Sequence, residues 1–198
     1  MKNRQAIQIK NISDKELIWN LYLTQGIILL ASFLIGIFLF QSWEEFTGIF
    51  QWDPSAIFLY GGGAGIVVVC FDLFLMKVLP EKALDDGGIN ERIFSSIPIP
   101  HIFVVTLIIS VSEELLFRGV LQTNFGIIAA SLLFAIFHIR YLSKIILFVT
   151  VVGLSFFLGW VYLVTENLLA TIFSHFTIDF ILGCLIRLKH YNKPFDSN

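Results

Sequence analysis

The segment from Ile97 to Gln122 reads IPIPHIFVVTLIISVSEELLFRGVLQ, and it places two adjacent acids and an arginine near the end of a long apolar run. A helix needs about 20 mostly apolar residues to cross roughly 30 Å of hydrocarbon. A charge in the middle of a membrane costs about 2.5–3.5 kcal/mol on insertion scales, and such residues usually mark a function. The segment therefore predicts a membrane helix that carries a functional group of charges.

The rest of the chain has the composition of a membrane protein. Of its 198 residues, 57% are hydrophobic and only 14% are charged, whereas soluble domains carry about 25% charged residues. The apolar stretches run roughly over Leu17–Gln41, Ser55–Leu79, Ile97–Leu121, Phe125–Ile139, Leu142–Val164 and Asn167–Leu188. Single strands cannot satisfy their backbone groups in lipid. We therefore predict one integral membrane domain over residues 1–198, an all-α polytopic bundle of about six transmembrane helices.

The positions of the basic residues predict the orientation of this bundle. All but one of the 13 lysines and arginines fall on one side of the predicted membrane: Lys2, Arg4, Lys10, Lys15, Lys77, Lys82, Arg92, Arg140, Lys144, Arg187, Lys189 and Lys193. The opposite loops carry only acids: Glu44, Glu45, Asp53 and Glu166. Basic residues are enriched in cytoplasmic loops. Both termini are therefore predicted to be cytoplasmic, and the one basic residue inside a span is Arg118.

The second stretch contains a glycine cluster, Gly61-Gly-Gly-Ala-Gly65, that does not fit a phosphate-binding loop because no Lys-Ser/Thr follows it. Gly61 and Gly65 have the spacing that lets membrane helices approach closely, so they predict helix packing. Asp72 lies near the predicted cytoplasmic end of this stretch. We interpret it as an interfacial residue and leave it outside the site.

The charges in the third stretch predict a division of roles. Glu114 and Arg118 are four residues apart, so on a helix they share a face and can pair. Glu113 points about 100° away around the helix. A structural ion pair would explain Glu114 and Arg118 but would leave Glu113 unexplained. The pattern thus favours one structurally occupied acid and one acid that is available for chemistry.

Two later stretches add titratable residues. His138 ends the sequence Phe134-Ala-Ile-Phe-His138, and His175 and Asp179 are four residues apart in the last stretch. His138 alone could also be an interfacial residue. If the chain turns near Thr123, a rise of about 1.5 Å per residue places Glu113 at a depth similar to that of the histidines. Glu113, His138, His175 and Asp179 are therefore predicted to fall within a band of about 7 Å and to form one site.

Such a cluster fits two hydrolytic mechanisms. In the first, Glu113 takes a proton from water that His138 helps to position, while His175 and Asp179 stabilise an oxyanion. In the second, Glu113, His138 and His175 hold a divalent metal such as zinc, which activates the water. A His-Glu-x-x-His helix is missing from the sequence, which excludes a standard zincin site. Either mechanism predicts a hydrated cavity that opens toward the cytoplasm.

At these residues the chain resembles the CPBP family of intramembrane peptidases, also called the CAAX protease, bacteriocin-processing or Abi family. The family pattern is Glu-Glu-x-x-x-Arg, Phe-x-x-x-His and His-x-x-x-Asn/Asp, each on a membrane helix. This chain has Glu113-Glu114-Leu-Leu-Phe-Arg118, Phe134-Ala-Ile-Phe-His138 and His175-Phe-Thr-Ile-Asp179, and the resemblance covers about residues 97–187.

The resemblance implies a role for each matched residue. Glu113 is implied as the base with His138 beside it, and Glu114 with Arg118 as the supporting pair. His175 and Asp179 are implied as the oxyanion or ligand group. Asp179 often corresponds to Asn in the family, and an ionised Asp cannot donate a hydrogen bond to an oxyanion. It could be protonated, orient His175 or bind a metal.

The expected function is therefore that of an intramembrane endopeptidase, a hydrolase acting on a membrane-associated peptide or protein, with or without a metal. The compact chain resembles bacterial members of the family, so we expect a multi-pass protein of a bacterial cell membrane and no prenylated substrate. The expected partners are the substrate and the lipid bilayer, and no nucleic acid. Two alternatives remain open: a non-catalytic immunity or scaffolding protein that binds a bacteriocin or a signalling partner, and a small transporter, whose paired repeats are not evident here.

Overall fold

The computed structural model describes residues 12–84, 86–138 and 144–191, and the regular structure in these ranges is helical. The helices in chain order are α1 (Asp14–Leu39), α2 (Trp43–Gly48), α3 (Ser55–Val78), α4 (Glu81–Leu84), α5 (Ile89–Ser96), α6 (Ile99–Glu114, continued by the π-helical segment Leu115–Gln122), α7 (Thr123–Phe137), α8 (Ile145–Thr165) and α9 (Leu168–Tyr191). The predicted all-α class is confirmed. Some predicted features lie outside the described residues: the span ends at Ile139 and Leu142, and the basic residues Lys2, Arg4, Lys10, Arg140 and Lys193.

The first helix illustrates how sequence sets both the ends and the surroundings of a span. Ser13 and Glu16 form a capping box, in which each side chain binds the backbone N–H of the other residue, so α1 begins at Asp14. Toward its other end, the side chains of Ile37 and Phe38 are 73% and 86% exposed. Large apolar groups at this exposure need an apolar solvent, and the lipid bilayer provides it.

Five helical segments are long and apolar enough to cross a membrane: Asp14–Leu39, Ser55–Val78, Ile99–Phe137, Ile145–Thr165 and Leu168–Tyr191. The third of these combines the predicted third and fourth spans. Residues 127–137, which remain after its break at Gly126, are about 16 Å long at about 1.5 Å per residue. The predicted helical bundle is confirmed. Its fourth span, however, is shorter than the roughly 30 Å that a helix must cover to cross the hydrocarbon.

Gly126 turns the chain back on itself. Its backbone has φ 80° and ψ 167°, a conformation that glycine adopts readily because it lacks a Cβ. Phe134 consequently packs on Phe117, with 4.9 Å between the ring centroids, whereas residues 17 apart on a straight helix would be about 25 Å apart. α6 and α7 therefore form a helical hairpin, with its turn three residues beyond the predicted position at Thr123.

The predicted cytoplasmic segments meet at one end of the bundle. Arg92 of α5 forms an ion pair with Asp14 at the start of α1, at 2.7 Å. Arg187, near the end of α9, donates a hydrogen bond to the carbonyl of Ser95. At the opposite end, the backbone N–H of Leu168 donates to the carbonyl of Ile49 at 2.8 Å. This grouping agrees with the sidedness that the basic residues predict.

The glycine cluster serves helix packing, as its spacing predicts. A Cβ added to Gly61 would overlap the carbonyl group of Ala170 on α9. A Cβ added to Gly65 would lie 2.9 Å from the carbonyl oxygen of Ser174. α3 and α9 can therefore approach this closely only because side chains are absent at these positions.

We expect the substitution Gly61→Val to lower the melting temperature of the protein, with a cost of about 1–3 kcal/mol for overpacking. The matched control is Gly63→Val, because a Cβ at Gly63 meets no atom within 4 Å. Thermal unfolding in detergent micelles can be followed by the fluorescence of the four tryptophans. Equal melting temperatures for the two variants would contradict the packing role of Gly61.

Candidate active site within the bundle

Glu114 is the centre of a buried polar network. Its side chain is fully buried near the end of the α-helical part of α6. Its Oε1 accepts hydrogen bonds from Arg118 Nη1 at 3.3 Å and from His175 Nδ1 at 2.9 Å. The predicted pairing of Glu114 with Arg118 is thus present, and the network extends to α9.

Arg118 connects this network to two further helices. Its Nη2 donates to the carbonyl and to the hydroxyl of Ser155 on α8, at 2.8 and 3.1 Å. The guanidinium carbon lies 5.2 Å from the centre of the Phe134 ring on α7, within the range of a cation–π contact. The buried charge of Arg118 is therefore satisfied by groups from α6, α7 and α8.

The π-helical segment Leu115–Gln122 was not predicted from the sequence. In it the backbone N–H of Thr123 donates to the carbonyl of Arg118, five residues earlier. π-Helical segments of this kind are rare and are often found at functional sites. The segment changes the helical register directly after Glu114, between the acids and the turn at Gly126.

His175 lies between two carboxylates. Glu114 Oε1 already accepts from the guanidinium, so in its contact with the same oxygen His175 Nδ1 carries the hydrogen. On the other side of the ring, Nε2 lies 3.5 Å from Asp179 Oδ2. Glu114 is fully buried and Asp179 is 28% exposed. The Nε2 edge of the ring therefore faces the more accessible side of the network.

Glu113 points away from this network, as the helical geometry predicts. Its side chain is half-buried, and Oε1 accepts a hydrogen bond from Gln25 Nε2 of α1 at 3.1 Å. The two adjacent acids thus have different hydrogen-bond partners: Glu114 has an arginine and a histidine, and Glu113 has a neutral amide. Sequence reasoning missed Gln25, although a glutamine inside the apolar stretch Leu17–Gln41 is itself a signal.

His138 follows the last residue of α7, on the returning arm of the hairpin. Its Nδ1 lies 2.9 Å from the carbonyl oxygen of Phe134, which can only accept, so Nδ1 carries the hydrogen. A neutral ring then has its lone pair on Nε2. The imidazole also stacks on the ring of Phe134, with 4.2 Å between centroids. Phe134 therefore contacts both His138 and Arg118.

These contacts divide the six predicted site residues into three groups. Glu114, Arg118, His175 and Asp179 form one connected network. Among the hydrogen bonds of the described residues, Glu113 accepts from Gln25, and His138 Nδ1 contacts the carbonyl of Phe134. All six lie on the hairpin and on α9, in an arrangement that the motif order alone does not specify.

Comparison with known proteins identifies the family. A family model described as type II CAAX prenyl endopeptidase Rce1-like matches residues 95–181. The uncharacterized protein YpbD of Bacillus subtilis (strain 168) is 42% identical over 171 residues, which cover 86% of this chain and 90% of that protein. No solved structure matches the chain.

The chain belongs to the Rce1-like family. This is the CPBP family that its motifs resemble, and it is a family of membrane proteases. Together with the five apolar helices, the match makes this chain a multi-pass membrane protein. The matched segment contains all six predicted site residues but not Gln25 or Asp72.

Within this Rce1-like chain, the three residues suggested as metal ligands do not form a ligand set. Both ring nitrogens of His175 already face carboxylates, Nδ1 toward Glu114 and Nε2 toward Asp179. In the described part of the chain, no group of three or more His, Cys, Asp or Glu residues is arranged so that it could hold a metal ion. The described residues therefore do not form a preassembled metal site, and a metal held by Glu113, His138 and His175 stays a prediction.

The structure also gives Asp72 a neighbour that the sequence interpretation overlooked. Asp72 lies on α3, which packs against α9, and it interacts electrostatically with Asp179. The helix that carries Asp72 therefore packs beside the helix that carries His175 and Asp179. A periodicity argument within one stretch could not reveal a neighbour on another helix.

One cavity lies at the predicted cytoplasmic end and has a volume of about 390 Å³. Its lining consists of Asp14, Lys15, Ile18, Trp19, Tyr22, Ser96 and His101. None of the six predicted site residues is part of this lining. A hydrated opening that leads to Glu113 remains a prediction.

Proposed function

We propose that this chain is an intramembrane endopeptidase that hydrolyses a peptide bond in a membrane-associated peptide or protein. The observation that carries the proposal is the different environment of two adjacent acids. Glu114 is fully buried between Arg118 and His175, whereas Glu113 is half-buried and bound by the amide of Gln25. A buried carboxylate paired with an arginine supports the site, and a more accessible carboxylate can exchange a proton with water.

In the proposed reaction Glu113 acts as the general base. It takes a proton from a water molecule while the water oxygen bonds to the carbonyl carbon of the scissile peptide. The π electrons of the C=O bond move onto the carbonyl oxygen, which becomes the oxyanion. The tetrahedral intermediate then collapses, the C–N bond breaks, and the proton passes from Glu113 to the leaving nitrogen. Atoms and charge balance without an added reactant other than water.

His138 and His175 have supporting roles in this proposal. We assign His138 the role that the family resemblance implies, which is to stand beside Glu113 and help to position the attacking water. His175 can donate from Nε2 to the oxyanion when its ring is doubly protonated. Asp179 would then orient and neutralise His175 without itself donating to the oxyanion.

We favour the route without a metal because, within the described ranges, no three His, Cys, Asp or Glu residues are arranged so that they could hold one. For the substrate we expect a membrane peptide without a prenyl group, as in the bacterial branch of the resemblance. We place the protein in a bacterial cell membrane, with both termini cytoplasmic, on the distribution of its basic residues.

The test compares the wild-type protein with the double variant Glu113→Ala/His138→Ala, each reconstituted in liposomes. The substrates are a farnesylated CAAX peptide, the same peptide without the lipid, and a hydrophobic membrane-spanning peptide, and the products are identified by mass spectrometry. We expect the wild type to cleave an unprenylated peptide and the double variant to cleave none. The rate should be unchanged when a chelator is added.

Other outcomes have equally specific meanings. Cleavage restricted to the farnesylated peptide would support the peptidase activity but would show that the substrate is prenylated. Loss of activity with the chelator would refute the metal-free route. Equal cleavage by the double variant would refute the assignment of the base. If the wild type cleaves no peptide, and both proteins equally protect cells from a bacteriocin, the non-catalytic immunity function replaces the peptidase.

A further inference from the structure

Gln25 is a buried amide in the middle of α1, and its side chain connects that helix to the acid-bearing part of α6. Only 6% of the residue is exposed. Its Nε2 donates to Glu113 Oε1 at 3.1 Å, and its Oε1 accepts from the hydroxyl of Ser112 at 2.5 Å. Both ends of the amide are therefore bonded to consecutive residues of α6.

The orientation of this amide follows from the chemistry of its neighbours. An ionised Glu113 can only accept hydrogen bonds, so the amide must present its nitrogen to it. The amide oxygen then faces Ser112, which has a hydrogen to donate. A flipped amide would place its oxygen against the carboxylate of Glu113, which is repulsive. Ser112 Oγ also lies 2.7 Å from the carbonyl oxygen of Ile108 in α6, so its one hydrogen has two close acceptors, of which the amide oxygen is one. The contact with Ser112 supports the orientation in which Gln25 donates to Glu113.

We propose that Gln25 is a positioning residue that directs the carboxylate of Glu113 for its role as general base. The inference rests on the proposed function, because it assigns Gln25 to that same site. A donor bound to a carboxylate favours its ionised state, which is the state from which a base must start. Gln25 does not contact substrate in this proposal and acts through Glu113.

Packing between α1 and α6 does not require this amide. Ile28 of α1 is buried in a cluster with Leu116 and Phe117, and this apolar contact already joins the two helices. Ser32, the other buried polar side chain on α1, instead bonds the carbonyl of Ile28 in its own helix. Tyr22 of α1 also reaches α6, where its hydroxyl bonds His101 Nε2 at 2.8 Å, but only the amide of Gln25 is a buried group of α1 whose partner is the proposed base.

The experiment uses the full-length protein in liposomes and four variants. Gln25→Met keeps the length of the side chain and removes the donor, and Ser112→Ala removes the group that orients the amide. Ser112→Thr retains the hydroxyl and should restore activity. Ser32→Ala is the matched control, since it removes a buried hydroxyl from α1 that does not reach α6.

We expect Gln25→Met to lower kcat roughly tenfold to 100-fold with little change in KM, because hydrogen bonds to charged groups contribute on this scale and act here on the chemical step. Ser112→Ala should lower kcat less, and Ser112→Thr and Ser32→Ala should match the wild type. The rate is measured on the peptide that the wild type cleaves.

A second measurement does not depend on catalysis. Dicyclohexylcarbodiimide reacts with protonated carboxyl groups inside membranes, and labelling of Glu113 can be quantified by mass spectrometry. We expect several-fold more labelling of Glu113 in Gln25→Met than in the wild type, and unchanged labelling in Ser32→Ala. A merely structural role for Gln25 would not produce this selective change.

The two proposals fail in different ways. Wild-type kcat and wild-type labelling in Gln25→Met, when the Glu113→Ala/His138→Ala variant is inactive, would overturn the role of Gln25 and leave the peptidase intact. If the wild type cleaves no peptide, the labelling still decides whether Gln25 controls Glu113. Should Gln25→Met fail to fold, Ser112→Ala with wild-type labelling would overturn the inference.

Discussion

Replacing Glu113 with glutamine is expected to slow peptide hydrolysis by at least about 100-fold, because a positioned general base contributes about 10²–10⁴-fold to such a reaction. The fold should survive this change. The amide oxygen of the new side chain can still accept the hydrogen bond from Gln25 Nε2, and Glu113 is not a partner of Arg118 in the buried ion pair. The measurements are the rate of cleavage in liposomes and the melting temperature in detergent.

The matched control for this substitution is Glu44→Gln. Glu44 is an exposed acid on α2 at the opposite end of the bundle from the Asp14–Arg92 ion pair. The substitution Glu44→Gln should leave both the cleavage rate and the melting temperature unchanged. A Glu113→Gln protein that cleaves at the wild-type rate would show that another group removes the proton from water.

Replacing Arg118 with methionine is expected to destabilise the fold by about 3–5 kcal/mol, the usual cost when one partner of a buried ion pair is removed. Glu114 is fully buried, and its Oε2 has no hydrogen-bond partner among the described residues. Without Arg118, its charge would depend on His175 alone. The lost contacts to Ser155 would also weaken the packing of α6 against α8.

Arg92→Met is the control, because Arg92 pairs with Asp14 at the surface, where the two side chains are 31% and 51% exposed. Exposed ion pairs contribute only about 0–1 kcal/mol. Tryptophan fluorescence during thermal unfolding should therefore show a large loss of stability for Arg118→Met and a small one for Arg92→Met. Similar losses in the two variants would mean that Glu114 is not the buried charge that depends on Arg118.

The membrane bundle and one ion pair could be predicted because both depend on local rules. A long apolar run must become a helix in lipid, since its backbone has no other partner there. Residues four apart on that helix meet, and this relation gave the pairing of Glu114 with Arg118. The spacing of Gly61 and Gly65 predicted close helix packing for the same reason.

The contacts of Glu113 and His175 could not be derived in this way. Gln25 and Glu113 are 88 residues apart, and Glu114 and His175 are 61 residues apart. Such contacts depend on how each helix is rotated and how far it is shifted along its neighbour. Faces toward lipid and toward other helices are both apolar in a membrane, so the periodicity that marks a buried face in a soluble protein carries little information here.

The amino-acid sequence alone predicts a helical membrane protein that has charges inside its spans and carries the family motifs in their usual order. The folded chain adds the reversal at Gly126, which brings Phe134 against Phe117 and Arg118, and the position of His175 between Glu114 and Asp179. The physical reason for this division is that hydrogen-bonded helices form from neighbouring residues, whereas a site assembled from several helices depends on their packing in three dimensions.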